Sequence, residues 1–197
     1  MKKREFLYAA SAGAASLLAA PARPQEKPSR SGGPALLTVT GDIAHANRGA
    51  LDPALDQLMV KQKLSFDKAW TFDYASLGRL PQATIRPVLE YDEKAHTLSG
   101  PLLADVLTAA GSRMAASGTL LLRAIDGYAV TISAADFRRY RFLIATHLDG
   151  KPMPLGGLGP LWAVYDADRF PDMAARPVKE RFGMCPWALY HINVQTM

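Results

Sequence analysis

The fourteen residues from Leu98 to Gly111 constrain the fold most, because they combine the signals of a helix start, an apolar face and a helix end. Gly100 is a suitable N-cap, and Pro101 suits the first helical position, where its missing N–H costs nothing. Apolar side chains then recur at spacings of three and four residues, at Leu102, Leu103, Val106, Leu107 and Ala110. This spacing predicts a short helix from residue 101 that buries one face and ends at Gly111.

The segments around this helix favour strands and short helices in alternation. A β-prone run at Leu36–Thr40 predicts the first strand, and Pro87 makes Ala83–Leu89 a better edge strand than a central one. The runs Leu120–Ile125 and Tyr128–Ile132 flank Asp126-Gly127, which is a strong β-hairpin signal.

Further elements are predicted on both sides of this hairpin. Asp52-Pro53 opens a short helix with Leu55, Leu58 and Met59 on one side. A strand is expected at Trp70–Phe72, and Asp73 caps the short helix that follows it. Ser133 caps a third helix, which extends to about Tyr140. Strands are expected at Phe142–Thr146, Leu161–Tyr165 and Trp187–Val194, the last closing the sheet. The glycines and prolines of residues 149–160 predict an irregular surface loop. The pattern indicates an α+β fold with a mixed or barrel-like sheet.

Several short motifs occur in an order typical of one family. The run Gly100-Pro101-Leu102-Leu103-x-Asp105-Val106-Leu107-x-x-Ala110-Gly111 resembles the helix signature of the sulfite-oxidase-type molybdopterin-binding domain. Further similar segments are Leu37–Ile43, Leu80–Gln82, Asp126–Tyr128, Asp149–Trp162 and Trp187–Val194. The resemblance extends from Leu36 to Val194. It implies an α+β fold with a mixed, barrel-like β core and short helices, and a pocket that holds a pterin.

The N-terminus has the features of an export signal. Lys2, Lys3 and Arg4 precede an uncharged apolar run from Phe6 to Ala20, and small residues surround Pro21. We therefore expect a signal peptide at residues 1–22, a flexible linker at 23–35, a binding domain at 36–197 and a periplasmic location. The apolar run is short for a membrane span, which leaves an uncleaved anchor as the alternative. Lys3-Arg4 resembles a twin-arginine signal with Lys at the first position, so the export route stays open.

Charge argues against a nucleic-acid partner. The whole chain has a formal net charge of +5, with 23 basic and 18 acidic residues. Without residues 1–22 the counts fall to 20 and 17, which leaves +3. The only tight basic cluster, Arg138, Arg139 and Arg141, is typical of a solvated helix end. No run interleaves basic with aromatic residues, so we expect no nucleic-acid binding.

The cysteine count bears directly on metal chemistry. In catalytic members of the family that the chain resembles, a cysteine thiolate between the first strand and the signature helix ligates molybdenum. Here Cys185 is the only cysteine, and it lies far beyond that position. Because a soft metal held through sulfur needs a thiolate, molybdenum is not expected. The simplest interpretation of Cys185 is a small buried apolar residue, with a redox or intermolecular role as the alternative.

Other catalytic patterns are absent from the sequence. The four histidines are isolated, with no pair at helical ligand spacing. The chain has no Gly-x-Ser-x-Gly elbow, P-loop or GxGxxG motif. We therefore predict no catalytic residues and no metal ligands.

A pterin requires an aromatic surface and a few convergent polar groups. Near the family-like motifs, Asp126 is a candidate acceptor for an amino-pyrimidinone edge, while Arg86 or Arg139 would face a carbonyl or phosphate oxygen. At Gly159 a backbone N–H can approach a ligand closely. The candidate aromatic residues are Tyr91, Tyr128, Trp162 and Trp187.

Each candidate also has a structural interpretation. Both Trp162 and Trp187 fall in predicted strands, where tryptophan usually belongs to the core. Asp126 suits the turn itself, and Tyr128 fits either role.

Three functions remain open. The first is a periplasmic, non-catalytic pterin-binding protein whose liganded state is read by a membrane sensor protein. The second is a molybdopterin-dependent oxidoreductase with an unusual ligand. The third is an interaction module with an empty pocket.

Overall fold

A computed structural model describes residues 32–112 and 117–196. The predicted signal peptide and residues 23–31 of the predicted linker lie outside the described residues. The strands are β1 Leu37–Gly41, β2 Trp70–Phe72, β3 Gln82–Ile85, β4 Leu98–Pro101, β5 Thr119–Ala124, β6 Ala129–Ser133, β7 Leu143–Ala145, β8 His147–Leu148, β9 Lys151–Pro152, β10 Trp162–Val164 and β11 Leu189–Gln195. The helices are α1 Gln57–Lys61, α2 Tyr74–Gly78, α3 Leu103–Ala109, α4 Ala134–Tyr140 and α5 Pro171–Ala174, with 3₁₀ turns at Ala167–Arg169 and Val178–Glu180.

The strands form a mixed central sheet and two smaller sheets. The central order is β2-β1-β11-β5-β6, in which β1 and β11 run parallel with Val39 opposite Ile192, and the other pairs are antiparallel. A second sheet has the order β3-β4-β8-β9, and β7 pairs with β10. The α+β prediction is confirmed. In the described part of the chain the strands are assigned to three sheets, and the N–H of Thr146, between β7 and β8, donates to the carbonyl oxygen of Ser99 in β4 at 2.9 Å.

The signature stretch is a strand followed by a helix. Residues 98–101 form β4, and the helix begins only at Leu103, so the predicted N-cap at Gly100 is wrong. Gly100 pairs with Ala83, and a Cβ atom there would collide with the carbonyl oxygen of Ile144. Close strand packing therefore explains this glycine. The buried face of α3 and the stop at Gly111, which has φ of +76°, are confirmed.

Three other sequence expectations need correction. The helix expected from Asp52 starts only at Gln57, because the Asp52 carboxylate accepts the backbone N–H groups of residues 54 and 55 in a turn. Leu55 lies in this turn and is exposed. The loop at 149–160 begins with the β8–β9 hairpin, and it buries Met153 and Gly159. The last strand, β11, starts at Leu189 and lies in the middle of the central sheet, so it does not close an edge.

A continuous apolar core joins the sheets to α3. Buried side chains of β1, β5 and β11 meet those of α3, β7 and β10 in one cluster. Within the residues that the structure describes, no helix has the length and apolar character needed to cross a membrane.

Candidate functional site

Three segments that are distant in the sequence enclose a pocket of about 250 Å³. They are the loop after β3, the β5–β6 turn and the segment that leads into β11. Three large aromatic side chains line the pocket although they remain accessible, with Tyr91 54%, Tyr128 47% and Trp187 38% exposed. Exposed aromatic side chains grouped in a concave site are a common feature of binding surfaces.

The β5–β6 turn supplies Asp126 and Tyr128. The Asp126 Oδ1 atom accepts the backbone N–H of Tyr128 at 2.9 Å, which is the Asx-type bond expected of an aspartate in such a turn. The Tyr128 hydroxyl reaches across the pocket and donates to the carbonyl oxygen of Gly183 at 2.6 Å. Asp126 therefore serves the turn and lines the pocket at the same time.

The segment before β11 supplies Trp187 and Cys185. Trp187 precedes the strand, so its predicted place within a strand is wrong. The indole N–H of buried Trp162 donates to the carbonyl oxygen of Cys185 at 2.9 Å, and the N–H of Ala163 donates to the carbonyl of Pro186 at 3.2 Å. These bonds fix the segment on β10 and hold Trp187 at the pocket.

The loop after β3 supplies Glu90 and Tyr91. Leu89 is buried and bonded through its N–H to the carbonyl oxygen of Lys94 at 2.9 Å, which forms a compact loop. The Tyr91 ring lies 6.5 Å from the ring of Trp162. Partial burial, the negative charge of Glu90 and a hydrogen bond to the Glu90 carboxylate raise the pKa of Tyr91 to about 12, so its hydroxyl keeps its proton.

Four of the eight residues predicted for the site line this pocket, namely Tyr91, Asp126, Tyr128 and Trp187. The other four lie elsewhere. Trp162 is fully buried beneath the pocket and belongs to the core, while Gly159 is packed against Met153. Arg139 pairs with Asp172 at 2.6 Å, and Arg86 is exposed outside the pocket lining.

Sequence reasoning missed several pocket residues. Glu90 and Lys179 bring one negative and one positive charge, and Phe182 and Gly183 complete the wall. In the sequence, Glu90 begins the polar run Glu90–Thr97, and Lys179 lies in the stretch from Asp166 to Pro186, which has no clear period. A sequence signal existed only for Glu90, since it is adjacent to the candidate Tyr91.

Cys185 lines the wall of the pocket but is itself buried. Burial raises the pKa of its thiol well above the usual range, and the nearby charge of Glu90 raises it further, so the thiol form is favoured. Among residues 32–112 and 117–196, no group of three or more histidine, cysteine, aspartate or glutamate side chains is arranged to hold a metal ion.

A scan against protein-family models and a search of curated proteins found no match. A search of solved structures found a similar fold in the sulfane dehydrogenase SoxCD from Paracoccus pantotrophus, with a TM-score of 0.53 and 11% sequence identity. The similarity covers 81% of this chain but only 37% of the SoxCD chain. At this identity the similarity shows a shared fold alone.

Proposed function

We propose that this chain is a non-catalytic binding protein for a pterin, with the ligand in the pocket between the β5–β6 turn and the segment before β11. The observation that carries the proposal is the meeting of Tyr91, Tyr128 and Trp187 with Asp126 in one cavity. All four were selected from the sequence as candidates for a flat heterocycle, and they come from segments that are far apart in the chain. The family resemblance of the sequence motifs supports the same ligand class.

The chemistry of the lining matches a pterin. A pterin has two flat faces, an edge of N–H donors and a carbonyl oxygen, so it needs aromatic surfaces, acceptors and one donor. Exposed aromatic rings provide the surfaces. The carboxylates of Glu90 and Asp126 are acceptors for the donor edge, and the Lys179 ammonium is a donor for the carbonyl oxygen.

The pocket volume suits a small ligand. Pockets for drug-sized molecules measure about 300–1,000 Å³. At about 250 Å³, this cavity fits a bicyclic ring better than an extended dinucleotide. One carboxylate oxygen of Asp126 is already used by the turn, so Oδ2 is the atom that we assign to the ligand.

A molybdopterin-dependent oxidoreductase is the second candidate, because Cys185 lines the same pocket. The surroundings of this thiol do not suit molybdenum ligation. The sulfur is buried, and Cys185 lies far beyond the ligand position of the family that the sequence resembles. We therefore derive no metal-dependent step for this chain.

The predicted export signal leads us to propose a periplasmic location, with a membrane sensor protein as the partner that reads the liganded state. A membrane partner that distinguishes the free from the liganded protein would carry the signal of binding into the cell. Photo-crosslinking in intact cells, with and without added pterin, tests this part of the proposal. A membrane-protein adduct that changes with pterin would support it, and the absence of any such adduct would contradict it.

The decisive experiment identifies the natural ligand. The protein is purified from its own cells and denatured, and the released small molecules are examined by fluorescence and mass spectrometry, with metal analysis of the same sample. A stoichiometric pterin without molybdenum is the expected result. Stoichiometric molybdenum would favour the oxidoreductase instead.

Titration of the emptied protein with added pterin completes the test. A protein that neither carries nor binds a pterin would support the interaction module with an empty pocket. The matched variants are Trp187→Ala, which removes an aromatic side chain of the pocket, and Tyr74→Phe, which alters an exposed tyrosine outside it.

A further inference from the structure

His96 lies between two carboxylates at the base of the loop that carries Glu90 and Tyr91. Its Nδ1 atom is 2.7 Å from Asp149 Oδ2, and its Nε2 atom is 3.1 Å from Asp92 Oδ2. A neutral imidazole has one N–H donor, whereas an imidazolium has two. Both contacts are therefore hydrogen bonds donated by His96 only when the ring is protonated.

We propose that His96 is a positioning residue of the pocket, whose protonated ring ties the loop of residues 86–97 to the β8–β9 turn and makes ligand affinity depend on pH. This inference rests on the proposed function for its ligand. The arrangement of His96, Asp92 and Asp149 is called the histidine clamp below.

The clamp connects to the pocket through the backbone of the loop. The backbone N–H of Glu93 donates to the carbonyl oxygen of Leu89 at 3.0 Å. The backbone N–H of His96 donates to the carbonyl oxygen of Pro87 at 3.1 Å. Asp92 immediately follows Tyr91, so the bond between Asp92 and His96 holds the outer half of the loop against its base. Loss of that bond leaves the backbone bonds across the loop in place but removes the side-chain contact that steadies the residues next to Tyr91.

The other side of the clamp is anchored firmly. Asp149 Oδ1 accepts the N–H of Thr97 at 2.9 Å, and the N–H of Asp149 donates to the carbonyl oxygen of Thr97 at 2.8 Å. Asp149 therefore stays in place in either protonation state of His96. Protonation controls the contact between His96 and Asp92. When the ring is neutral and its N–H is on Nδ1, it still donates to Asp149, but Nε2 has no hydrogen to donate to Asp92.

Electrostatics favour the charged ring. Hydrogen bonds to Asp149 and Asp92 raise the pKa of His96 above its usual range, while partial burial opposes this. The bond to His96 is the main cause that lowers the pKa of each carboxyl group, with Lys94 assisting at Asp92 and Arg86 at Asp149. The histidine clamp therefore forms at pH values above the lowered pKa of the two carboxyl groups and below the raised pKa of His96. It is lost as the pH rises through the pKa of His96.

The predicted effect is local because the groups are partly exposed. The His96 side chain is 22% exposed, and those of Asp92 and Asp149 are 39% and 52% exposed. Ion pairs at such sites contribute little to global stability. We therefore expect pH to change the order of the loop and the affinity for the ligand, while the unfolding transition stays almost the same.

The test measures the order of the loop in the free protein and the affinity of the protein for the ligand. In the purified protein, NMR titration gives the pKa of His96. Hydrogen exchange at one pH below this pKa and one pH above it gives the protection of the Glu93 amide after correction for intrinsic rates. Binding of pterin (2-amino-4-oxopteridine) is measured at the same two pH values. At the higher pH we expect lower protection of the Glu93 amide and a fall in affinity of about two- to fivefold.

Variants separate the clamp from the titration of the ligand itself. His96→Gln removes the titrating ring, so its Glu93 protection and its affinity should lose the pH dependence that wild type shows. Any pH dependence that the variant keeps belongs to the ligand or to other groups. Asp149→Asn should lower the pKa of His96 and shift the transition to lower pH. His45→Gln is the control, since His45 is exposed and outside the pocket lining.

The outcomes distinguish this inference from the proposed function. Pterin affinity that is equal at both pH values, or that keeps its full pH dependence in His96→Gln, would overturn the clamp. If no pterin binds at either pH while the Glu93 amide still responds to His96, the proposed function fails and the clamp itself stands. If His96→Gln does not fold, wild type and Asp149→Asn still provide the test.

Discussion

The Tyr128 hydroxyl donates a 2.6 Å hydrogen bond to the carbonyl oxygen of Gly183, across a pocket whose two sides lie 55 residues apart in the sequence. This bond joins the β5–β6 turn to the segment that carries Cys185 and Trp187. The tyrosine therefore does two things at once, since its ring forms part of the pocket and its hydroxyl ties two walls together. A substitution that separates these roles tests the site directly.

Tyr128→Phe keeps the ring and removes the hydroxyl. A hydrogen bond of this kind contributes about 0.5–1.5 kcal/mol, and Tyr128 is exposed enough for the lower half of that range to apply. We expect pterin affinity to fall about two- to fivefold as the walls loosen, by isothermal titration calorimetry. Tyr74→Phe, which removes the hydroxyl that contacts His147 at 2.9 Å, should leave affinity unchanged. Equal losses in both variants would show that the effect is not specific to the pocket.

Trp187→Ala should weaken binding strongly while the fold survives. Stacking of a heterocycle on an aromatic side chain is worth about 1–3 kcal/mol, which corresponds to a loss of about five- to 150-fold in affinity. The side chain is 38% exposed, so the cost in free energy of unfolding should stay near 1 kcal/mol. Fluorescence titration and urea unfolding measure the two quantities. Unchanged affinity would remove Trp187 from the site.

Trp162→Ala should mainly reduce stability, whereas Trp187→Ala should mainly reduce affinity. The side chain is fully buried and its indole N–H is bonded to Cys185, so truncation creates a cavity and leaves a buried carbonyl without its donor. We expect the free energy of unfolding to fall by about 3–5 kcal/mol, measured by urea unfolding. A variant as stable as wild type would contradict the assignment of Trp162 to the core.

The thiol of Cys185 should be unreactive in the folded protein. Burial raises its pKa, so little thiolate is present at pH 8, and the side chain is inaccessible. Ellman's reagent should label it only after unfolding in guanidinium chloride. Cys185→Ala should retain pterin binding. Fast labelling of the native protein, or loss of bound metal with this variant, would support the oxidoreductase.

His191 should make the fold sensitive to acid. Burial, with a smaller effect of the positive charge of Arg123, lowers the pKa of His191 to about 3, and its Nε2 lies 2.9 Å from Thr40 Oγ1. The unfolded chain binds a proton near pH 6.5, whereas the folded chain does not, so the stabilisation present above pH 6.5 is lost as pH falls toward 3. Unfolding measured from pH 7 to pH 4 should show this slope. His191→Gln should flatten it, and an unchanged slope would refute the assignment.

Local signals in the sequence predicted several elements correctly. The turn at Asp126-Gly127, the Ser133 cap of α4 and the Asp73 cap of α2 depend on neighbouring residues, and all three are confirmed. The buried face of α3 followed from its spacing. The edge position of β3 followed from the nearby proline, which cannot donate a ladder hydrogen bond.

The errors arose where distant packing outweighed local preference. Gly100 and Pro101 are good helix-start residues, yet pairing with β3 and the close approach of Ile144 hold them in β4. Trp187 was expected within a strand, but bonds of its neighbours to β10 keep it outside. Propensity describes only the neighbours of a residue along the chain, and these contacts involve residues far away in it.

The sequence by itself determined the fold class, the aromatic and acidic candidates, and the presence of a single cysteine, because these depend on residue types and short spacings. Only the tertiary structure decided which candidates meet. It brought Tyr91, Asp126, Tyr128 and Trp187 to one pocket, added Glu90 and Lys179, and left Arg86, Arg139, Gly159 and Trp162 outside its lining. The physical reason is that a pocket is defined by the register of the sheets and by loop anchors such as Asp149, and neither has a local signature in the chain.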